Sequence, residues 1–428
     1  VRAERLLILG NGGAAVSAAR SARDSGHPGE IHLVSDVDGP AFNPMLSPYF
    51  LKGSIPWGSC FPFGLEWYSA YDVTCHFGSA VEFLDVLNRR AILEGGERLP
   101  YDKCLVATGA APVVPPVPGL RGSSRVHVMR TAASVRRLDK AIASARRVLV
   151  LGASFVGLKA AEILARRGIG VTLLDVADRV LPLGAHPDCA AHIRSLFEGH
   201  GVKVHLGCSM DGMESSPQGA VCHFEDDVVR EADLVVVCTG VRANVDFVDP
   251  TLVRMDKGIL VDELMETNVP GLYAAGDASQ GANLLNGEKE WLGTWENARL
   301  QGRTAGKNLA GQEARYHGSI PHNIGPFFDW TYAQIGDTLS GDLIHHAFGD
   351  PERGAHAVLA FREDLLVGAN LINCTHLAGR LRRMILGKEQ GSSFLNKATS
   401  VRDIESVLDV PMDGRVSALR PSFYRGGR

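Results

Sequence analysis

The stretch Leu6-Leu7-Ile8-Leu9-Gly10-Asn11-Gly12-Gly13-Ala14-Ala15 decides the fold. Four apolar residues in a row read as a short strand buried on both faces of a parallel sheet. The glycines after them read as a tight turn, and the small residues through about Ser25 as a helix. A second apolar run, Ile31-His32-Leu33-Val34, ends at Ser35-Asp36. The order is strand, glycine turn, helix, strand, acid. Gly10 permits the bend, Gly12 lets backbone approach a pyrophosphate, and the small Ala15 lets helix and strand pack closely. The pyrophosphate would lie at the positive end of the helix, and Asp36 would accept hydrogen bonds from ribose hydroxyls.

The same grammar recurs later in the chain. Val148-Leu149-Val150-Leu151 is followed by Gly152-Ala153-Ser154-Phe155-Val156-Gly157, a helix to about Arg167, then Val171-Thr172-Leu173-Leu174 and Asp175. Ser154 stands where the middle glycine belongs. Two such units predict an α/β protein with two Rossmann-like dinucleotide-binding domains. Asp175 is followed by Val176 and Ala177, with no Arg or Lys beside it, and would repel a 2′-phosphate. NADH is therefore expected over NADPH, with Arg179 the one nearby residue that opposes this.

Composition sets the outer bounds. The chain has 428 residues and a net charge of −4, which gives no electrostatic case for a dedicated nucleic-acid binder. No stretch approaches about 18 uninterrupted apolar residues, so no membrane span is expected. Eight cysteines are spread thinly, without a C-x-x-C pair. That argues against an internal iron–sulfur cluster, a structural zinc or a disulfide scaffold, and fits a reducing cytoplasm. Arg2 and Arg5 before the first apolar run mimic a signal peptide, but Gly10 to Gly13 break the run and it reads as a strand.

Pro112-Val113-Val114-Pro115-Pro116-Val117-Pro118-Gly119 reads as a stiff linker, and near Arg242-Ala243-Asn244 the chain leaves the second unit. From about Pro321 the texture changes, with a hairpin around Arg362-Glu363-Asp364 and a helix from about Ala378 to Leu386. The expected domains are therefore 1–118 and 243–320 for a first dinucleotide, 119–242 for the second, and a C-terminal α+β domain at 321–428.

Further motifs place the chain by resemblance. Tyr101 through Gly109, ending Ala107-Thr108-Gly109, resembles the A-T-G segment of two-dinucleotide-domain flavoproteins. Val235 through Gly240 resembles its counterpart closing the NAD domain, and Thr267 through Gly276-Asp277 the second FAD signature. The resemblance is to the FAD-dependent pyridine nucleotide oxidoreductases, over roughly residues 5–310. It implies a glutathione-reductase-like arrangement, with FAD at Gly10, Gly12, Ala15, Asp36, Asn43, Pro44, Thr108, Gly109, Gly276, Asp277, Thr294 and Trp295. It implies NAD(H) at Gly152, Ser154, Phe155, Gly157, Asp175 and Gly240, and no metal. Asp277 would hydrogen-bond the ribityl chain. Trp291 through Ala298 resembles the helix start near the flavin pyrimidine ring, although Trp291 reads equally well as an interface Trp. Gly325 through Trp330 resembles an aromatic segment laid near the flavin, with ordinary core aromatics as the alternative.

Phe42-Asn43-Pro44-Met45-Leu46-Ser47-Pro48-Tyr49-Phe50-Leu51-Lys52-Gly53 is the informative stretch. It resembles the segment of ferredoxin- and rubredoxin-reductase-like members, and the one where coenzyme A-disulfide reductases carry their redox cysteine. It contains no Cys, which excludes disulfide chemistry there. It also departs from the family: Asn43 replaces a flavin-contacting Arg, and Pro48 a Lys beside the flavin. In the NAD unit, Lys159 replaces a Glu near the nicotinamide. Lys159 reads as a solvated helix residue with Glu162 as its local partner; the alternative is that it repositions the carboxamide. Pro48 and Lys159 are thus the candidate modulators, and no side chain is expected to act as catalytic acid or base.

With no disulfide and no internal cluster, the resemblance implies an external one-electron iron–sulfur partner. Arg380, Arg382 and Arg383 form a small basic cluster, solvated or available to an acidic electron-transfer protein. Phe361 through Leu371 resembles the version in NADH-dependent nitrite, rubredoxin and phenylglyoxylate-type reductase subunits. The expectation is an FAD/NAD(H) subunit of a hetero-oligomeric aldehyde or 2-oxoacid oxidoreductase, the aldehyde type being a tungsten enzyme. The alternatives are a free-standing NADH:ferredoxin or rubredoxin reductase and a non-enzymatic NADH-sensing flavoprotein.

Overall fold

In a computed structural model, which describes residues 3–225, 228–391 and 398–409, the chain forms two units. One comprises Val1–Leu183 with Ala190–Ile320, the other Gly184–Cys189 with Pro321–Arg428.

The first unit holds two parallel five-stranded sheets. In one, Leu6–Leu9 lies at the centre, flanked by Ile31–Ser35 then Val73–Phe77 on one side and by Lys103–Val106 then Leu272–Ala274 on the other. In the other, Arg147–Leu151 is central, flanked by Gly170–Asp175 then Lys203–Leu206, and by Leu234–Val237 then Val126–His127. The apolar runs Leu6–Leu9 and Val148–Leu151 of the central strands are buried throughout, as a sheet covered on both faces requires. In both sheets the order reverses beside the central strand. That is the place where an open α/β sheet leaves a crevice at its carboxyl edge.

Helices follow both turns, Gly13–Asp24 and Phe155–Arg166. Small residues on the first let Trp295–Leu309 pack tightly across it: Gly302 and Gly306 lie against the backbone of Ala14 and Ala18. Two antiparallel three-stranded sheets, 81–100 and 210–232, lead into the strands Lys103–Val106 and Leu234–Val237 of the parallel sheets. Residues 110–112 and 241–243 pair antiparallel where the chain passes between the sheets.

The second unit is an antiparallel five-stranded sheet, 322–327, 330–336, 365–372, 355–362 and 344–350 in spatial order. The hairpin turns at Glu363 and Asp364, and helices Ala378–Gly387 and Val401–Val407 complete it. Asp350 and Glu405 are buried, and Arg353 pairs with both. Among the described residues, no helix is long and apolar enough to cross a membrane.

Candidate functional site

The two turns are built alike. The Gly10 and Gly152 amides donate to Val34 and Leu174 at 2.8 and 2.7 Å. Their φ angles are +114° and +101°, and a Cβ on either would collide with the carbonyl just past the strand Lys103–Val106 or Leu234–Val237, at Ala107 or Cys238. Only glycine satisfies both demands. Gly157 likewise has no room for a side chain, because a Cβ would strike the Gly152 carbonyl. Ala15 is fully buried in helix packing.

They differ at the middle position. Gly12 begins its helix with no side-chain cap, and the space where its Cβ would sit is open for 4 Å. The first-turn amides of that helix therefore present themselves to an anion. Ser154 instead caps its own helix, accepting from the Gly157 amide at 3.3 Å and donating to the Cys238 carbonyl at 2.9 Å.

A cavity of roughly 490 Å³ opens over the first turn. Gly10, Gly12, Asp36, Pro44, Thr108, Gly109, Gly276, Asp277, Thr294 and Trp295 all line it. Asp36 is exposed at the end of its strand. Thr108 is tied across the wall, its hydroxyl donating to the Asn244 carbonyl and the Asn244 amide to Gly109. Trp295 covers Gly13, where a Cβ would lie 3.1 Å from the ring. Thr294 caps the helix Trp295–Leu309 by accepting from the Asn297 amide at 3.2 Å. Trp291 donates its indole N–H to the Asp277 carbonyl at 2.8 Å, and so steadies that turn. Neither Asn43 nor Pro48 lines the cavity: Asn43 is buried and its Oδ1 accepts from the Met45 amide at 3.0 Å, while Pro48 lies in the first turn of the short helix Ser47–Leu51.

Sequence reading missed Arg130. It lines the cavity, its Nη2 lies 2.6 Å from Asp277 Oδ2, and its Nε donates to the Ala110 carbonyl at 3.0 Å. The Asp277 carboxylate is thereby oriented by a cation 147 positions away in sequence. Asn11 and Tyr68 were also missed; the Tyr68 hydroxyl donates to Asn11 and accepts from the Ala41 amide, fixing the loop after Asp36.

At the second turn, Asp175 accepts from the Ala153 amide at 2.5 Å and the Ala177 amide at 2.8 Å. Its carboxylate is thus aimed at the glycine turn while still half-exposed. Arg179 lies beside Asp178 at 3.5 Å. Phe155 opens the helix, and Gly240 has φ +114° with its Cβ space open.

Lys159 corrects the sequence reading. It is not solvated, since its side chain is 12% exposed, and it pairs at 3.2 Å with Glu162, 2% exposed. Glu162 also receives Arg166 at 3.0 Å and Lys52 at 3.3 Å, the latter from beyond the helix Ser47–Leu51. One carboxylate therefore serves three cations where the short helix Ser47–Leu51 packs on the helix Phe155–Arg166. Burial works to raise the Glu162 pKa, but Lys159, Lys52 and Arg166 hold it below the ordinary value. Burial likewise lowers Lys159, against the pull of Glu162.

All eight thiols are free, and Cys60, Cys104, Cys189, Cys222, Cys238 and Cys374 are buried. Burial pushes Cys75 up to about 11 and Cys238 to about 12. None lines the cavity.

A family model described as pyridine nucleotide-disulphide oxidoreductase matches residues 4–302. The chain is 31% identical over 336 residues to the epsilon subunit of NADH-dependent phenylglyoxylate dehydrogenase of Aromatoleum evansii, covering 78% of this chain and 79% of that one. It is 28% identical over 386 residues to the ferredoxin–NAD(+) reductase component of the anthranilate 1,2-dioxygenase system of Burkholderia cepacia, covering 90% and 94%. Among solved structures, a covalent putidaredoxin reductase–putidaredoxin complex matches with a TM-score of 0.84 at 25% identity, over 91% of this chain and 94% of that one.

Proposed function

Because this chain belongs to the pyridine nucleotide-disulphide oxidoreductase family, we propose that it passes electrons between NAD(H) and an iron–sulfur partner, as the flavin subunit of a larger redox complex. It is an FAD-dependent NAD(H) oxidoreductase. The cavity over the first turn suits FAD: the open Gly12 and uncapped helix would take the pyrophosphate, and Asp36 the ribose. The Arg130–Asp277 pair would hold the ribityl chain, and the N-terminus of Trp295–Leu309 would face the pyrimidine edge. Gly152, Ser154 and Gly157 would seat NAD(H), with Asp175 on its ribose. Bound flavin supplies what no side chain can, taking a hydride and releasing two electrons singly. The protein's own part is to align two rings and exclude water.

The observation that carries this reading is the wall of the cavity. It bears no thiol, and Phe42 through Gly53 contains none, so the electron pair has no disulfide to reduce within this chain. One NADH and two oxidised one-electron clusters then give NAD⁺, one proton and two reduced clusters. The subunit role is supported by the relative named as an epsilon subunit. In such a complex the flow runs toward NAD⁺, away from an oxidised 2-oxoacid or aldehyde. A free-standing reductase is the second reading, favoured by the near-complete coverage of the anthranilate-system component.

The purified chain is expected to carry FAD, to be bleached anaerobically by NADH and to reduce an iron–sulfur protein. Robust turnover of coenzyme A disulfide, or a colourless chain that takes up no flavin, contradicts this. A cluster-bearing subunit recovered with the native chain separates the complex from the free reductase.

A further inference from the structure

The cavity wall continues outward as an aromatic cluster. Phe42 lines the cavity, and its ring centroid lies 5.7 Å from that of Trp57. Trp57 also packs on Phe50 at 4.8 Å and on Phe61 at 5.3 Å. Trp57 is half-buried, and Arg136 lies over its ring at 5.1 Å. Cations gather around this spot. Lys140 follows Arg136 by one helical turn on Ala132–Ile142, and neither pairs with a carboxylate among the described residues. Arg167 donates to the Leu51 carbonyl at the end of the helix Ser47–Leu51, and Lys52 follows directly. Arg166 and Lys52 share Glu162, and Arg167 shares Asp139.

We infer that this face, centred on Trp57 and ringed by Lys52, Arg136, Lys140, Arg166 and Arg167, is where the electron-transfer partner docks, and that the partner is an acidic iron–sulfur protein. The inference rests on the reading above that electrons leave the chain for such a partner. Five cations here face two carboxylates, whereas the whole chain carries a net charge of −4. An acidic partner is repelled by the protein at large and drawn to this face, which orients the encounter as well as speeding it. Arg136 covers Trp57 without hiding it, giving an aromatic centre with a charged rim, as in efficient interfaces. An electron then crosses packed aromatic side chains between cavity and surface. The cluster Arg380, Arg382 and Arg383 is a weaker candidate, because Arg380 is engaged by Glu389 at 2.9 and 3.1 Å and Arg382 is half-buried.

The test uses the full FAD-loaded chain, with an acidic [2Fe–2S] ferredoxin as probe and menadione, a neutral quinone, as control acceptor. R136E/K140E is expected to raise KM for the ferredoxin about tenfold at low salt, fading to about twofold at 0.5 M salt. Menadione reduction and the flavin spectrum should stay as in the parent. R136Q/K140Q should give an intermediate rise, and R380E/R383E none. If the parent reduces the ferredoxin and R136E/K140E does so with the same KM and salt dependence, the docking face is wrong while the electron-transfer reading stands. If KM rises only in R380E/R383E, the partner sits on the C-terminal helix. If the parent reduces menadione but no iron–sulfur protein, both readings fall.

Discussion

Glu162→Gln removes the one carboxylate that Lys159, Lys52 and Arg166 share, at nearly unchanged volume. Lys52 and Arg166 are 33% and 38% exposed and swing their heads into water at little cost. Lys159 is 12% exposed and stays trapped. Stripping the partner from a buried charge costs about 3–5 kcal/mol, and with two of three cations free to rehydrate the lower end applies, about 3 kcal/mol. At about 2 °C per kcal/mol for a unit of this size, the melting temperature should fall by about 6 °C. Flavin fluorescence on release gives the readout. The pH dependence carries a signature. Lys159 is already held below its ordinary pKa, and without Glu162 it drops further. Between that lowered folded value and the unfolded value of about 10.4, the unfolded state binds more protons, so stability rises with pH. The deficit of Glu162→Gln against the parent should therefore shrink as pH rises toward that unfolded value, and Glu162→Gln/Lys159→Met should recover part of it at pH 7. A fall under 2 °C, or a deficit constant with pH, would refute the idea that a trapped Lys159 is what Glu162 stabilises.

Three other outcomes follow from the geometry. Gly10→Ala, forced into the Ala107 carbonyl at φ +114°, should yield little folded holoprotein, whereas Gly12→Ala, with open space at φ −103°, should keep the melting temperature of the flavin-free chain and bind FAD at least tenfold more weakly by fluorescence titration. Asp175→Ala should raise KM for NADH about tenfold in steady-state kinetics and narrow the expected preference over NADPH, since it removes the acceptor of two turn amides as well as the proposed ribose contact. With burial holding Cys75 near 11 and Cys238 near 12, and no thiol lining the cavity, NADH:menadione activity should survive iodoacetamide at pH 8; loss within minutes would reveal a reactive thiolate.

Both parallel sheets were legible because burial on two faces writes unbroken apolar runs such as Leu6–Leu9 and Leu234–Val237, and the turns because Gly10 and Gly152 satisfy a constraint no other residue meets. Val73–Phe77, Val126–His127 and the two antiparallel sheets were not, being short edge or solvent-facing elements with mixed burial. The candidate site was legible where a residue sits in a local motif, as at Asp36 and Asp277, which both line the cavity. It was hidden where partners come from afar: Arg130 reaches Asp277 across 147 positions, and Lys52 reaches Glu162 across 110. Lys159 looked solvated because helical spacing shows only its own face, not the neighbouring helix that covers it.

The strand Leu272–Ala274 completes the first parallel sheet, although every other strand of that sheet lies before residue 107. The second sheet, by contrast, is drawn wholly from residues 126–237. On the ribosome the later-encoded layer is therefore whole while the earlier one still lacks its border, and a nascent chain stopped at residue 260 has a closed second sheet beside a first that is one strand short. Splitting the gene within 113–240 would put the residues that line the cavity over the first turn on two separate pieces, so a two-piece version of this protein has to be cut elsewhere.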